Sequence, residues 1–254
     1  MVEYIFLYIF KNQKYNNVLF CKKMGKKINS ALSLRLVTVI ILLIAISQRV
    51  NAQQSIGFGV HANPLAGWFS SDDSNISGKG ANAGLNFGLT FNKYFFENYA
   101  FSMGLSLITA GGNFSSSDTV MLELRNPIKV LPDNKLVYNI KYLDVPIGLK
   151  LRSIQIGYIS FFTDIGFNPM FVLRGNVEIP SQNIAKDNAY NVLNKFNIGY
   201  HVTGGIEYSL GRTTAIVIGV NFNSNFTNII KENDNQPAAK IMHKMLGLHL
   251  GLIF

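Results

Sequence analysis

Cysteine is all but missing from this chain: Cys21 is the single one in 254 residues. It stands ahead of an apolar run, Leu36 to Ile46, and no thiol remains from residue 53 onward. That excludes disulfides and Cys-ligated metals from the body of the protein and leaves no obstacle to export into an oxidising compartment. The four histidines, His61, His201, His243 and His249, show no metal-ligand spacing. No Gly-rich loop lies between a strand and a helix, so the usual phosphate cradle is excluded and no cofactor is expected. Nor does a helical apolar period occur after residue 53, so no helical layer is available to cover a sheet.

Excess charge of one sign is also missing once the chain is divided. The formal net charge of the whole is +9, but eight of the 23 Lys and Arg and only one of the 14 Asp and Glu fall in residues 1–52, which leaves +2 for the rest. A nearly neutral body lacks the basic footprint of a nucleic-acid binder, and no nucleic-acid partner is expected. Residues 1–52 read as a leader. Lys22, Lys23, Lys26 and Lys27 precede the apolar run, and Val50-Asn51-Ala52 then leads into Gln53-Gln54, the layout of a secretory signal peptide with cleavage between Ala52 and Gln53. The run is shorter than the roughly 20 apolar residues of a spanning helix. Met24 makes a better start than Met1, because it gives a leader of ordinary length. Cys21 precedes the apolar run, which argues against a lipoprotein acceptor.

Residues 53–254 are built on alternation. At the C-terminus Leu246, Leu248, Leu250, Leu252 and Phe254 recur at every second place, with Gly247, His249, Gly251 and Ile253 between them. A period of two makes a strand with one apolar face. With no helix to cover that face, the remaining cover is lipid, and a sheet in lipid must close on itself so that no edge is left unpaired. Alternating segments recur upstream, from Ser55 to Gly67, Ala81 to Phe91, Tyr99 to Leu107, Leu136 to Arg152, Ile159 to Phe167, Phe196 to Tyr208 and Ile216 to Phe222. With the C-terminal strand they predict an all-β fold, a closed antiparallel up-and-down transmembrane β-barrel of eight strands preceded by a cleaved signal peptide. Each segment is expected to reach the roughly 9–11 residues that a tilted strand needs to cross hydrocarbon.

Connections alternate between short and long. Short ones are expected at Asn92 to Asn98, around Ile154 and around Gly211; long polar ones at Ser70 to Gly80, Gly111 to Lys135, Val172 to Asn194 and Thr227 to Met242. In bacterial outer-membrane barrels the short side is periplasmic, which places both termini there. Tyr94, Phe95, Tyr99, Tyr208 and Phe254 are expected at the lower headgroup level, Trp68 and Phe69 at the upper. In the fourth segment Tyr138 and Ile140 fall out of phase with Leu143, Val145, Ile147, Leu149 and Leu151, which predicts a β-bulge near Tyr142. A return centred on Ile154 sets Asp144 and Asp164 level on neighbouring strands, where a proton or a cation between them would be needed.

Trp68-Phe69-Ser70, Phe96-Glu97-Asn98-Tyr99-Ala100, Tyr142-Leu143-Asp144-Val145-Pro146, Gly204-Gly205-Ile206-Glu207-Tyr208 and the stretch Gly219 to Phe226 together resemble the PorT-type outer-membrane β-barrel proteins of Bacteroidetes. The resemblance spans essentially all of residues 53–254, and the Tyr-Leu-acid-aliphatic-Pro motif is its most specific piece. It implies an outer-membrane barrel. A namesake of the family serves protein secretion, but the shared motifs are structural ones and do not carry that role.

No catalytic constellation stands out, and a non-enzymatic barrel is expected, either structural or engaged in surface interaction through long extracellular loops. An accessory of secretion or envelope assembly is the alternative, and a barrel-embedded hydrolase or acyl-modifying enzyme the third reading, which a Ser-His-acid set at one depth would favour. Asp144, Asp164, Lys150, His201, Glu207 and His249 fall on inward positions and predict a polar network in the lumen, where side chains of an eight-stranded barrel fill the interior. Leu246, Leu248, Leu250, Leu252 and Phe254 form the expected assembly signal. The expected partners are outer-membrane lipid, the barrel-assembly machinery and other envelope or secretion proteins.

Overall fold

The computed structural model describes residues 56–122, 124, 127–211, 213–231 and 240–254. The leader and the Ala52–Gln53 cleavage site lie outside the described residues. Twelve strands follow one another: β1 Ile56–Ser71, β2 Ile76–Phe96, β3 Tyr99–Ser116, β4 Val120–Leu122, β5 Ile128–Val130, β6 Leu136–Asp144, β7 Ile147–Arg152, β8 Ile159–Ile179, β9 Ile184–Asn188, β10 Phe196–Ser209, β11 Ala215–Asn225 and β12 Ile241–Ile253. Consecutive long strands pair antiparallel, and β12 pairs with both β11 and β1, which closes the sheet. β6 and β7 are two halves of one staggered strand between β3 and β8. They are parted at Val145-Pro146 because proline has no N–H for the ladder. The break is sealed on both sides: Gly104 N donates to Pro146 O at 2.9 Å, and Val145 N to Pro169 O at 3.0 Å. Counted so, the ring has eight strands and no open edge.

Each long strand of the ring carries exposed apolar residues on its outer face. On β2 Leu85, Phe87, Leu89 and Phe91 point out, and on β12 Leu246, Leu248, Leu250 and Leu252 do the same. Phe254 closes the seam, exchanging two backbone hydrogen bonds with Phe58. The other face lines the lumen. In the half near the short turns it is polar; in the half near the long connections it is an apolar core of Phe69, Phe114, Tyr138, Ile140, Tyr142 and Met245, joined by Leu122, Val130, Leu193 and Ile229 from the connections. The long connections therefore fold inward as a plug.

Several expectations are corrected by this arrangement. Segments expected as loops are extended: β3 runs on to Ser116 and β8 to Ile179, while β4 with β5, and β9 against β8, add short pairings above the barrel. They carry buried side chains because their inward faces pack on the plug. The fourth strand has no change of phase. Tyr138, Ile140, Tyr142, Asp144, Gly148 and Lys150 are all buried at even positions, so Tyr138 and Ile140 are apolar yet inward. What changes at Tyr142 is the chemistry of the lumen, from plug to polar half. The bulge lies on the neighbouring strand: Lys141 pairs with Arg174 and Tyr142 with Val172, leaving Leu173 as the extra residue of β8. The return after β7 centres on Gly157, three residues beyond Ile154, with Ile156 bridged to Ile159. Gly157 has φ 63°, a left-handed conformation that favours glycine at a tight turn. Phe69 and Tyr94 also turn inward, at 4% and 9% exposure, and do not join the headgroup aromatics.

Candidate functional site

The lumen in the turn-side half gathers the titratable side chains. They arrive by alternation, since Ser160, Phe162, Asp164, Gly166 and Asn168 occupy successive inward places on β8. Lys150 on β7 is the register partner of Asp164, yet its ammonium reaches on to Glu207 of β10, with Nζ 2.5 Å from Oε1. It passes over the Phe162 ring, 4.7 Å from the centroid. Arg152 approaches the same carboxylate, its Nη1 3.7 Å from Oε2, and lies 6.0 Å from the Tyr94 ring centroid. A glutamate that is 3% exposed is thus held between two cations, as a buried charge must be.

A second chain of contacts runs from Asp164 to Asp144. His201 Nε2 lies 3.3 Å from Asp164 Oδ1, and its Nδ1 contacts Asn168 Oδ1. The Asn168 amide then donates to both oxygens of Asp144, at 3.0 Å each. The expectation of two level carboxylates is therefore corrected. Asp164 faces Lys150, six residues along the strand from Asp144, because the turn is at Gly157 and not at Ile154. His201 and Asn168 separate the two acids, so they share no proton or cation directly.

Of the six residues read as a lumen network, five are joined by these contacts. His249 is inside but stands apart, with its ring 5.5 Å from His61 and 6.2 Å from Phe162. Asn168 and Arg152 were not foreseen. Both were open to the same reasoning, since Asn168 shares the inward parity of Asp164 and Arg152 that of Lys150. His243 is wholly buried in the plug, between the Tyr142 hydroxyl at 3.0 Å from Nδ1 and the Gly111 carbonyl at 3.3 Å from Nε2. Gly111 is obligatory there: a Cβ would stand 2.0 Å from the Tyr138 carbonyl oxygen.

The chemistry open to this set is narrow. Ser106 Oγ lies 3.2 Å from His61 Nε2, but Nδ1 of that ring makes no hydrogen bond. The carboxylate that holds the histidine of a hydrolytic triad is thus missing at its place, and Asp164 is engaged by His201 instead. The two chambers beside these groups have volumes of about 50 Å³ each, room for a water or two at about 30 Å³ apiece. A larger vestibule of about 230 Å³ opens at the short-turn rim, beside Arg152, Glu207 and Phe254. No group of three or more His, Cys, Asp or Glu able to hold a metal occurs among the described residues.

Comparison with family models agrees with a barrel. Residues 47–231 match the family model described as outer membrane protein beta-barrel domain. No curated protein matches the sequence. Among solved structures, Neisserial surface protein A is 12% identical with a TM-score of 0.42, covering 77% of this chain and 95% of its own. OprG of Pseudomonas aeruginosa is 16% identical with a TM-score of 0.38, covering 81% and 99%. The outer membrane protease OmpT of Escherichia coli is 9% identical with a TM-score of 0.40, covering 80% and 97%. Likenesses as distant as these carry no argument about activity. The family match spans most of the sequence, and the chain belongs to the outer membrane protein β-barrel domain family.

Proposed function

We propose that this member of the outer-membrane β-barrel family is a non-enzymatic, non-conducting barrel that holds a rigid face of long connections outside the cell, with both termini in the periplasm. The observation that carries the reading is the plug. Leu122, Val130, Leu193 and Ile229 come from the long connections, yet they are buried to 3% exposure or less against Tyr138, Ile140 and Tyr142 of the wall. Connections packed this way form a fixed surface and not a mobile fringe, which suits recognition of a partner or surface ligand. Among the described residues the same packing closes the lumen at one end, and the small inner chambers leave no path for a substrate or a hydrated ion.

Planar-bilayer recording tests the reading directly. Reconstituted barrel is expected to give no stepwise conductance, and large steps would reject it. Protease accessibility on intact cells tests the orientation: cleavage in the long connections, with the short turns protected, is expected.

A further inference from the structure

Outside the lumen, one site on the barrel wall is built from like charges. Lys141 of β6 and Arg174 of β8 are direct register partners, and both are exposed on the outer face. Their Cβ atoms are therefore about 4.5–5.5 Å apart, a placement that destabilises a ladder when the charges have the same sign. Neither forms an ion pair among the described residues. The nearest acid on that face, Glu178, stands opposite Val137, four pairs further up. The position of Arg174 is no accident of alternation. From Ser160 to Val172 the even residues of β8 point inward, and Arg174 would follow them; the bulge at Leu173 turns it outward instead, beside Lys141. A bulge that re-aims one side chain is a device and not a defect.

The height of the pair indicates what it meets. On β7, which continues the strand of Lys141, Leu151 is the lowest exposed apolar residue. Ten residues separate it from Lys141, and at about 3.3 Å per residue and a tilt near 40° that is about 25 Å, the height of the apolar band of such barrels. The pair therefore sits at the upper border of hydrocarbon. Immediately below lie Leu143, Leu173 and Phe171, with the Phe171 and Phe196 rings 5.2 Å apart. Cations above an apolar, aromatic slope match an amphiphile whose anion is at the top and whose chains run down.

We propose that Lys141 and Arg174 bind the phosphate of a membrane-lipid headgroup in the leaflet on the long-connection side, its acyl chains lying over Leu143, Phe171 and Phe196. One phosphate between the two cations removes their repulsion. The guanidinium can engage two phosphate oxygens, the ammonium a third. The occupant is a lipid and not free phosphate, because the slope below is apolar. The site is independent of what the long connections bind.

The test uses the barrel purified from native outer membranes and placed in phosphatidylcholine bilayers that contain spin-labelled phosphatidic acid or labelled phosphatidylcholine. A clear preference for phosphatidic acid is expected. Each cation near the membrane surface contributes about 1 kcal/mol, about fivefold in association, so the double variant Lys141→Asn, Arg174→Asn is expected to lose the preference and Arg174→Lys to keep most of it. Lys79→Asn, which removes an exposed cation of β2, is expected to leave it unchanged. The double variant relieves a repulsion, so it should remain folded by heat-modifiability on gels. Lys141→Gln alone, with about a fivefold loss, serves if it does not. An equal preference in native and Lys141→Gln barrels, an equal loss in Lys79→Asn, or displacement of the labelled lipid by inorganic phosphate would each overturn the proposal.

Discussion

The two halves of the lumen fill the same kind of space by opposite means. On the loop side Tyr138, Ile140, Tyr142 and Phe114 stack as a protein core does, with the Phe114 and Tyr138 rings 5.5 Å apart and nearly parallel. On the turn side Lys150, Arg152 and Glu207 fill it with charge. The apolar half is closed by segments that fold in from outside, so its stability grows with the area that they bury. The polar half has only wall residues and stands next to the open vestibule. It depends on every charge having a partner, and its tolerance to change is accordingly uneven.

Removal of one partner from the polar half should have the largest effect. Glu207→Ala removes the carboxylate that the buried Lys150 ammonium contacts and is expected to cost about 3–5 kcal/mol, measured by urea titration in lipid vesicles. The double variant Lys150→Met, Glu207→Leu should recover most of that loss; a double variant as unstable as the single would show that the polar half is held by more than charge pairing. In the apolar half Ile140→Ala, at a side chain with no exposure, should cost about 2–5 kcal/mol through the cavity it leaves, with no rescue by a second charge change. Outside, Leu250→Lys puts a cation on a face where the native residue is 42% exposed, and should cost about 2–4 kcal/mol at the bilayer midplane. A Lys variant that accumulates folded and heat-modifiable in the outer membrane would show that this stripe does not face lipid. The smallest change is expected for Asp144→Asn, within about 1 kcal/mol, because the shape is kept and the Asn168 amide retains an acceptor. A large loss there would mean that the Asp144 charge itself holds His201 in place through Asn168.

How far the sequence could be read differs between the wall and the interior. Alternation assigned the outward stripes of β2, β3 and β12 because lipid accepts only apolar side chains on that face, so pattern and environment agree. It misjudged β6, where Tyr138 and Ile140 are as apolar as the lipid face and yet point inward. A period of two tells two faces apart but does not label them when both are apolar. The lumen residues were legible for the same reason in reverse, as polar side chains on spans that must cross hydrocarbon have only one place to go.

Amino-acid order alone determined that this is an eight-stranded barrel with lipid outside, because period, segment length and the lack of any covering helix are local properties that survive without knowledge of partners. Register is not local. A return at Gly157 in place of Ile154 shifts every pair between β7 and β8, and thereby gives Asp164 to His201 and leaves Lys150 to Glu207. The inward fold of the long connections and the outward turn of Arg174 were likewise decided only by the closed ring. Each depends on which residue of a neighbouring strand lies opposite, and on the space that the ring leaves to be filled.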